Sequence, residues 1–594
     1  MLKNLEQTWD LDVFFPGGSS SPEFTTFLAE LEQDINQAAE LVTQERSSVA
    51  EWVELLDTVQ DIAGRMRQAS AFVSCLNAQN VRDEQARILA GRVRQLGASN
   101  ASVMTSVDEQ ITAIAEDTWA ELLQAPELAP VAFNLQERRD RAQQMLPPEQ
   151  EKLVNSLSVD GYQGWSNLYN LVSGNLVIPI EEDGKTVYLS PGQAANRMSS
   201  ADRAVRQHVF ARWEEAWASV APSCALALNH LAGYRLNLYA ARGWDNVLHE
   251  PMERNRMRLE TLEAMWEAVD SRKPRLVEYM RRKQELLGLE DEFSWHDIRA
   301  PIGSTATRFT YDEAAQFIVE KFNHFDPEMA AIATRAFKER WIESEDRPGK
   351  RAGGFCTSFP VARQSRIFVT FSGTMGNLST LAHELGHAYH QHLMNELPPL
   401  AQRYAMNVAE TASTFSEMIV LDAAVDFAKS EEERLSLIER KLQRSVALLM
   451  DIQSRFLFET RFYEERKQGI VSVPRLNELM VQAQKDAFAN ALTEYHPHFW
   501  ASKLHFYNTG VPFYNFPYTF GYLFSAGVYA RAKEEGPVFR DKYAALLQDT
   551  GRMRVEDLAM RHLGVDLTKP EFWQGTIDFV TADLEEFLHL TAKK

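Results

Sequence analysis

The stretch LSTLAHELGHAYHQHLM, residues 378–394, contains two histidines at a spacing that predicts a metal-binding helix at the centre of the fold. Within it, His383 and His387 are four residues apart, and Glu384 directly follows the first histidine. Residues four apart on an α-helix share a face, with Cβ atoms about 5–6 Å apart, so both imidazoles can bind one metal ion. The apolar flanks predict a buried helix, and buried polar groups need partners. The pattern is typical of a zinc hydrolase helix, with Glu384 acting on a bound water.

Two histidines leave a metal site in need of a third protein ligand. A second apolar-periodic stretch, residues 404–427, predicts another long helix, and this helix contains carboxylates that could provide it. Glu410 and Glu417 lie one heptad apart on its otherwise apolar face. A carboxylate is costly there unless a cation lies opposite. We predict Glu410 as the third metal ligand and Glu417 as the group that orients a ligating imidazole.

Two neighbouring side chains are weaker candidates for the metal. Asp422 is the rival to Glu410, but it lies well beyond a turn away from it. His390 lies on roughly the face of His383, about 10.5 Å along the helix axis from it. One ion cannot bind both imidazoles, so we expect His390 to be a pocket or core histidine.

Composition limits the class of protein. A chain of 594 residues with 45% hydrophobic residues has room for two or three globular cores. Its net charge of −21 argues against nucleic-acid binding and is mainly solubility charge. Three scattered cysteines fit a reducing cytoplasm better than a disulfide framework. We find no export signal and no run of about 18 apolar residues, so we expect a cytoplasmic protein that does not bind membranes.

Helical periodicity dominates the sequence and predicts a mainly α fold. Ser21 and Pro22 mark one helix start, as a capping serine followed by proline. Long helices are predicted over residues 50–76, 83–115, 149–172, 210–241 and 259–287, with a helical pair over residues 311–341.

One β-hairpin is predicted, from residues 176–180 and 186–189, with Asp183 and Gly184 in its turn. It can serve as a brace between lobes or as a substrate contact. We place a boundary after it, which gives an N-terminal helical lobe of residues 1–195 and a catalytic domain of residues 196–594.

The segment before the metal helix changes character. Residues 366–371, RIFVTF, are β-branched and aromatic, which predicts a strand. We expect it to be an edge strand that pairs with an extended peptide through main-chain hydrogen bonds, although an interior strand is the alternative.

At this point the chain resembles the oligoendopeptidase F branch of the thimet-oligopeptidase family of zinc peptidases. The resemblance runs nearly end to end and includes the opening TWDLDVFFPG. Its further segments are residues 295–302, 347–356, 367–390, 407–417 and 505–527. The family implies mostly helical, two-lobed, single-zinc endopeptidases that cut short peptides in a deep cleft and spare folded proteins.

The resemblance also implies a role for the aromatic run of residues 505–527, which we expect to form a loop. In the wider family, a histidine and tyrosines there steady the tetrahedral intermediate and grip the peptide. The FGYLFS pattern transfers to Tyr522 most cleanly, whereas spacing further upstream departs from the thimet branch. His505, Tyr514 and Tyr518 are therefore weaker candidates for the same role.

Together these features predict zinc-dependent hydrolysis of internal bonds in short peptides. Zinc on two histidines and Glu410 leaves a fourth position for water, which Glu384 deprotonates before passing the proton to the leaving amine. A zinc carboxypeptidase of similar fold is one alternative. A non-catalytic helical scaffold is the other, but its structural zinc would need four protein ligands, and no cysteine stands near the metal helix except Cys356, which we expect in a loop. The sequence does not indicate the oligomeric state.

Overall fold

The computed structural model describes residues 2–46, 48–182, 184–290, 292–303 and 307–592. The described residues are mainly helical, as the sequence predicts. The helices of the first half are α1 (Pro22–Leu41), α2 (Val49–Gln79), α3 (Glu84–Ala113), α4 (Glu116–Leu123), α5 (Ala132–Gln143), α6 (Pro148–Ser158), α7 (Gly164–Asn175), α8 (Pro191–Arg197), α9 (Arg203–Ala241), α10 (His249–Arg254) and α11 (Leu259–Leu286).

The second half adds the helices that carry the predicted site. They are α12 (Tyr311–Phe325), α13 (Pro327–Lys338), α14 (Met375–Met394), α15 (Met406–Ala409), α16 (Thr411–Asp426), α17 (Glu431–Val446), α18 (Ile452–Arg466), α19 (Val473–Ala487), α20 (Phe499–Ser502), α21 (Phe516–Glu535), α22 (Phe539–Asp549), α23 (Val555–Leu563), α24 (Pro570–Val580) and α25 (Asp583–Thr591). None of these helices, within the described ranges, is long and apolar enough to cross a membrane.

The chain forms two compact units, and both are discontinuous in sequence. The first unit contains Met1–Met145, Thr307–Ala423 and Val528–Gly564. The second unit contains Leu146–Ala306, Ala424–Gly527 and Val565–Lys594. The predicted boundary near residue 195 divides the sequence once, whereas each compact unit consists of three separate segments. The predicted boundary therefore describes a different kind of division, and it stays a prediction.

The first unit has a core in which the N-terminal helices pack against a small sheet. Strands β3 (Ile342–Glu343), β4 (Phe355–Phe359) and β5 (Gln364–Phe368) form this sheet. The rings of Trp9 and Phe368 lie 5.7 Å apart, and Phe14 stacks on Phe359 at 3.9 Å. The sheet also packs against α14, so the small β element lies beside the predicted metal helix, as expected.

The predicted edge strand is wrong in its position within the sheet. A strand forms as β5, which overlaps the predicted residues 366–371 only in part, and the order is β3-β5-β4, so β5 lies in the centre. It pairs antiparallel with β4 over its whole length and parallel with β3 at Ile367 and Phe368, so these two residues have strand neighbours on both sides. In the described part of the chain, β4 pairs on one side only.

The second unit begins with helices that the sequence predicts well. The long helix expected over residues 149–172 forms, but a π-helical segment (Val159–Gln163) separates α6 from α7. The predicted hairpin forms as β1 (Ile178–Glu182) and β2 (Lys185–Leu189), paired antiparallel. Gly184 has φ +73°, as a tight turn requires, whereas Asp183 lies outside the described residues.

Candidate active site

Helix α14 brings His383, Glu384 and His387 together and is held firmly at both its start and its middle. Thr374 caps it by accepting a hydrogen bond from the Asn377 backbone. Most of its side chains are buried. At Gly386 it lies against α16 so closely that a Cβ atom there would be 2.5 Å from the Ala412 carbonyl oxygen. The glycine is therefore what allows the two helices to touch.

Three potential ligand atoms converge at this contact. Glu410 Oε2 lies 3.2 Å from His383 Nε2 and 3.6 Å from His387 Nε2. The two imidazole rings are nearly perpendicular, with centroids 5.0 Å apart. One ligand atom from each residue lies within 4.8 Å of the others, a spacing that a single ion can bridge. Among the described residues, no other set of three histidines, cysteines or carboxylates meets this criterion.

The predicted helix over residues 404–427 is interrupted at the ligand itself. Glu410 lies between α15 and α16, with φ −86° and ψ 4°. Its carbonyl oxygen accepts from the Thr414 backbone, and Ser413 Oγ donates to its carboxylate at 2.6 Å. The break therefore gives Glu410 a fixed orientation at the start of α16.

The carboxylate of Glu417, one heptad after Glu410 and within α16, contacts the first imidazole. Its Oε2 lies 3.3 Å from His383 Nδ1, and its Oε1 accepts from Ser379 Oγ at 2.9 Å. An N–H at Nδ1 then donates to Glu417, which leaves Nε2 of His383 for a metal.

The electrostatics favour a cation at the point where these groups meet. Burial lowers the pKa of His383, but hydrogen bonds and charge from Glu410 and Glu417 outweigh it and raise this pKa to about 10. Burial raises the pKa of Glu410, but the two imidazoles and Ser413 bring it down to about 2. Burial lowers the pKa of His387 to about 4, so this imidazole is neutral at pH 7. An ionised carboxylate and a neutral imidazole are the forms that bind metals.

Glu384 differs from the other carboxylates because burial dominates its environment. Only 6% of it is exposed. Burial, assisted by the negative charge of Glu410, raises the pKa of Glu384 to about 7, although His383 opposes the shift. A Cβ atom on Gly354 would be 3.4 Å from Glu384 Oε1, so the glycine keeps this side of the carboxylate open.

Three other predictions concern side chains near the metal helix. His390 is a core histidine, as one of the two expectations held: it is fully buried, stacks on Tyr404 at 4.4 Å, and its Nε2 lies 2.9 Å from Thr550 Oγ. Asp422 contacts Lys533 at 2.9 Å and is not part of the metal-capable group. Cys356 lies in strand β4 and not in a loop, and it is likewise outside that group.

Comparison with known proteins identifies the family of this chain. The sequence model described as "Peptidase family M3" matches residues 197–579, which is more than half of the chain. The chain belongs to peptidase family M3. A second model, described as "Oligopeptidase F", matches residues 110–177. As an M3 peptidase it is a metallo-oligopeptidase.

Similarity to other proteins extends over nearly the whole of this M3 chain. "Group B oligopeptidase PepB" of Streptococcus agalactiae is 23% identical and covers 98% of this chain and 97% of its own. "Oligopeptidase PepF" of Bacillus subtilis is 21% identical, with coverages of 99% and 88%. The crystal structure of oligoendopeptidase-F from Enterococcus faecium has the same fold, with a TM-score of 0.71, 18% identity, and coverages of 96% and 99%.

The aromatic residues predicted for this M3 peptidase all lie in the second unit. The rings of His505, Tyr514 and Tyr518 contact one another, with centroids 5.3–6.0 Å apart. The expected loop covers only part of the run, because α21 begins at Phe516 and includes both Tyr518 and Tyr522. Tyr522 is 6% exposed, and its hydroxyl lies 2.9 Å from Ser445 Oγ. The roles of these residues stay predictions.

Sequence reasoning missed four residues that shape the metal group. Ser379 and Ser413 hydrogen-bond its carboxylates, and Gly386 and Gly354 leave room around it. Gly386 lies inside the HELGH motif, so a glycine at a buried helix position was an available signal. Ser379 gave none, because its partner Glu417 belongs to a different helix, whereas Ser413 bonds the carboxylate of Glu410 within the same turn of the chain.

Proposed function

We propose that this M3 peptidase is a zinc-dependent oligoendopeptidase that hydrolyses internal bonds of short peptides. The observation that carries the proposal is the convergence of His383, His387 and Glu410, with the carboxylate of Glu384 in the same helix turn. Two imidazoles and one carboxylate are a donor set that catalytic zinc sites use, and they leave a coordination position open.

The residues fit a zinc ion on two further grounds. The donor atoms are close enough to share one ion, and the Glu410 carboxylate is ionised at neutral pH. Bound zinc would supply Lewis-acid polarisation of a carbonyl and a lowered water pKa. His383, His387 and Glu410 are the proposed ligands, and Glu417 holds His383 in the required tautomer.

Glu384 is the proposed general base. A group with a pKa near the working pH can both accept and return a proton. Glu384, with a pKa of about 7, meets that condition through burial. It would take a proton from the attacking water and deliver it to the nitrogen of the departing amine, which regenerates the carboxylate.

Two further parts of the proposal concern how the peptide is held. Tyr522, His505 and Tyr514 are proposed donors to the developing oxyanion. We assign main-chain pairing with the peptide to β4 instead of β5, because β4 is an edge strand of the described sheet and, with five residues, is longer than the other edge strand, β3, which has two. Such pairing is largely independent of side chains and suits broad peptide specificity.

The remaining predictions complete the proposal. We propose an N-terminal lobe of residues 1–195 and a catalytic domain of residues 196–594. We also propose a cytoplasmic location and an active site that excludes folded proteins. The overall charge of −21 supports the absence of a nucleic-acid partner.

The decisive experiment is product analysis of a peptide blocked at both ends, with and without a chelator. We expect internal cleavage that stops on chelation and returns with zinc. Glu384→Gln should keep zinc and the fold but lose several orders of magnitude in turnover, because an amide cannot accept the proton. The matched control is Glu396→Gln, which changes an exposed carboxylate close to α14 and should leave turnover unchanged.

Each alternative predicts a different result. An obligate carboxypeptidase would leave the blocked peptide intact and cut only one with a free C-terminus. A structural zinc site would give zinc binding without any chelator-sensitive cleavage. Near-normal turnover in zinc-loaded Glu384→Gln would contradict the general-base role.

A further inference from the structure

The second unit contains a cavity of about 390 Å³ that the proposed peptidase chemistry does not use. We call it the cationic cavity. Its lining combines one face of α17 with the segments 295–299 and 488–503. Its aromatic members are Trp213, Trp295, Phe488 and Phe499. A volume of this order suits one small ligand with an apolar part.

Positive charge dominates the polar part of the lining. The cationic side chains are Arg299, Arg440, Arg444 and Lys503. Asp451 is the carboxylate in the lining, and Arg455, which lies outside it, already binds this carboxylate at 2.9 and 3.2 Å. Within the described ranges, no carboxylate oxygen lies within 4.0 Å of a charged nitrogen of Arg299, Arg440 or Lys503. The cavity therefore has a surplus of positive charge.

The backbone that presents these cations is held in place by buried contacts. Asp297 is completely buried and binds Arg206 at 2.8 Å. The next carbonyl, that of Ile298, accepts from Lys283 Nζ at 2.9 Å and from Gln443 at 3.2 Å. These bonds fix the chain immediately before Arg299, in the WHDIRAPI stretch. A site fixed before binding loses less entropy when a ligand arrives.

The arginines of α17 and the lysine complete the arrangement. Arg440 and Arg444 are four residues apart and therefore share a helix face. Burial, with the positive charges of Arg455 and Arg299, lowers the pKa of Lys503 to about 7, although Asp451 opposes the shift. A bound anion would favour the ammonium form of Lys503.

We propose that the cationic cavity binds a monocarboxylic acid with an aromatic or aliphatic group. Arg299 and Arg440 would hold the carboxylate through charge-assisted hydrogen bonds. Trp295 and Phe499 would contact the apolar group. A neighbouring cavity of about 440 Å³ shares Arg299, Arg440 and Gln443 with it, which leaves room for a longer ligand. The acid can be the C-terminal residue of a peptide or a free organic acid.

Calorimetric titration of the full-length zinc protein tests this proposal directly. The probes are N-acetyl-phenylalanine, its C-terminal amide, and phenylacetate. We expect the two acids to bind and the amide to bind at least about tenfold more weakly, because it lacks the charge. Tighter binding of N-acetyl-phenylalanine than of phenylacetate identifies a peptide end as the ligand, and equal binding identifies a free acid.

Variants distinguish binding of the acids in the cationic cavity from binding of the same acids at the zinc. Arg299→Gln and Arg440→Gln should each weaken the acids about tenfold. Both side chains are exposed, so neither change should alter thermal unfolding. The control Arg475→Gln removes an exposed arginine elsewhere in the second unit and should bind normally. Unchanged affinity in both cavity variants, or equal binding of acid and amide, overturns the proposal, whatever the outcome of the Glu384→Gln experiment.

Discussion

Replacing Gly386 by alanine tests whether the contact between α14 and α16 sets the metal geometry. A Cβ atom at this position would lie 2.5 Å from Ala412 O and 2.7 Å from the Cα of Ser413. Both atoms belong to the backbone and cannot rotate away. Ordinary contact begins at 3.4 Å, so the helices must separate by about 0.9 Å (3.4 − 2.5). Overpacking of this kind costs about 1–3 kcal/mol, against about 1 kcal/mol gained from alanine's helix propensity.

The separation should affect zinc more than stability. Metal–ligand distances tolerate changes of about 0.2 Å, and the substitution lies next to His387 and moves it away from the element that carries Glu410. We expect Gly386→Ala to lower zinc affinity at least about tenfold, comparable with the loss of a group that orients a ligand. Zinc titration against a chromophoric chelator measures this, and urea unfolding of the metal-free protein measures stability.

A second glycine provides the control. Gly575 lies inside α24, and a Cβ atom there would meet nothing within 4 Å. Gly575→Ala should therefore stabilise the protein by about 0.4–1 kcal/mol and leave zinc binding unchanged. If Gly386→Ala proved as stable as Gly575→Ala and bound zinc like the parent protein, the helix contact would not set the metal geometry.

Three further predictions concern the metal ligands, the phenol and pH. Glu410→Ala should abolish or strongly weaken zinc binding, whereas Glu417→Ala should cost about 10–100-fold, and a zinc titration with the opposite ranking would exchange their roles. Tyr522→Phe should lower kcat about 100–1,000-fold with KM nearly unchanged, while loss of thermal stability alone would mark a packing residue. Burial raises the pKa of Glu459 from 4.5 to about 8, so the folded state holds a proton that the unfolded state releases above pH 4.5. Stability should therefore fall as pH rises from 5 to 8, and urea unfolding of Glu459→Gln should lack this component of the slope.

The convergence of His383, His387 and Glu410 was predictable because local geometry determines most of it. The spacing of His383 and His387 fixes their common face, and the apolar flanks fix the burial of α14. The positions of Glu410 and Glu417 near a cation were predictable, because isolated carboxylates on an otherwise apolar helix face need such a partner. The break at Glu410 did not follow from the sequence, because apolar periodicity continues on both sides of it.

The errors arise where pairing between distant segments decides the structure. The sequence of residues 366–371 predicts a strand but carries no information on its neighbours, and β3 and β4 place β5 in the centre of the sheet. Two glycines shortly before Cys356, at positions 353 and 354, favour a loop, yet pairing with β5 makes Cys356 a strand residue. Tyr522 follows several turn-forming residues, but α21 begins six positions before it (522 − 516).

The discontinuity of the first unit has a consequence for biosynthesis. The unit that carries the metal group also needs its last segment, Val528–Gly564, from which Leu547 and Thr550 contact His390 on the metal helix. A nascent chain therefore completes this unit only after Gly564 has left the ribosome. Proteolytic activity would then appear only after the segment Val528–Gly564 has been synthesised and has packed against the rest of this unit.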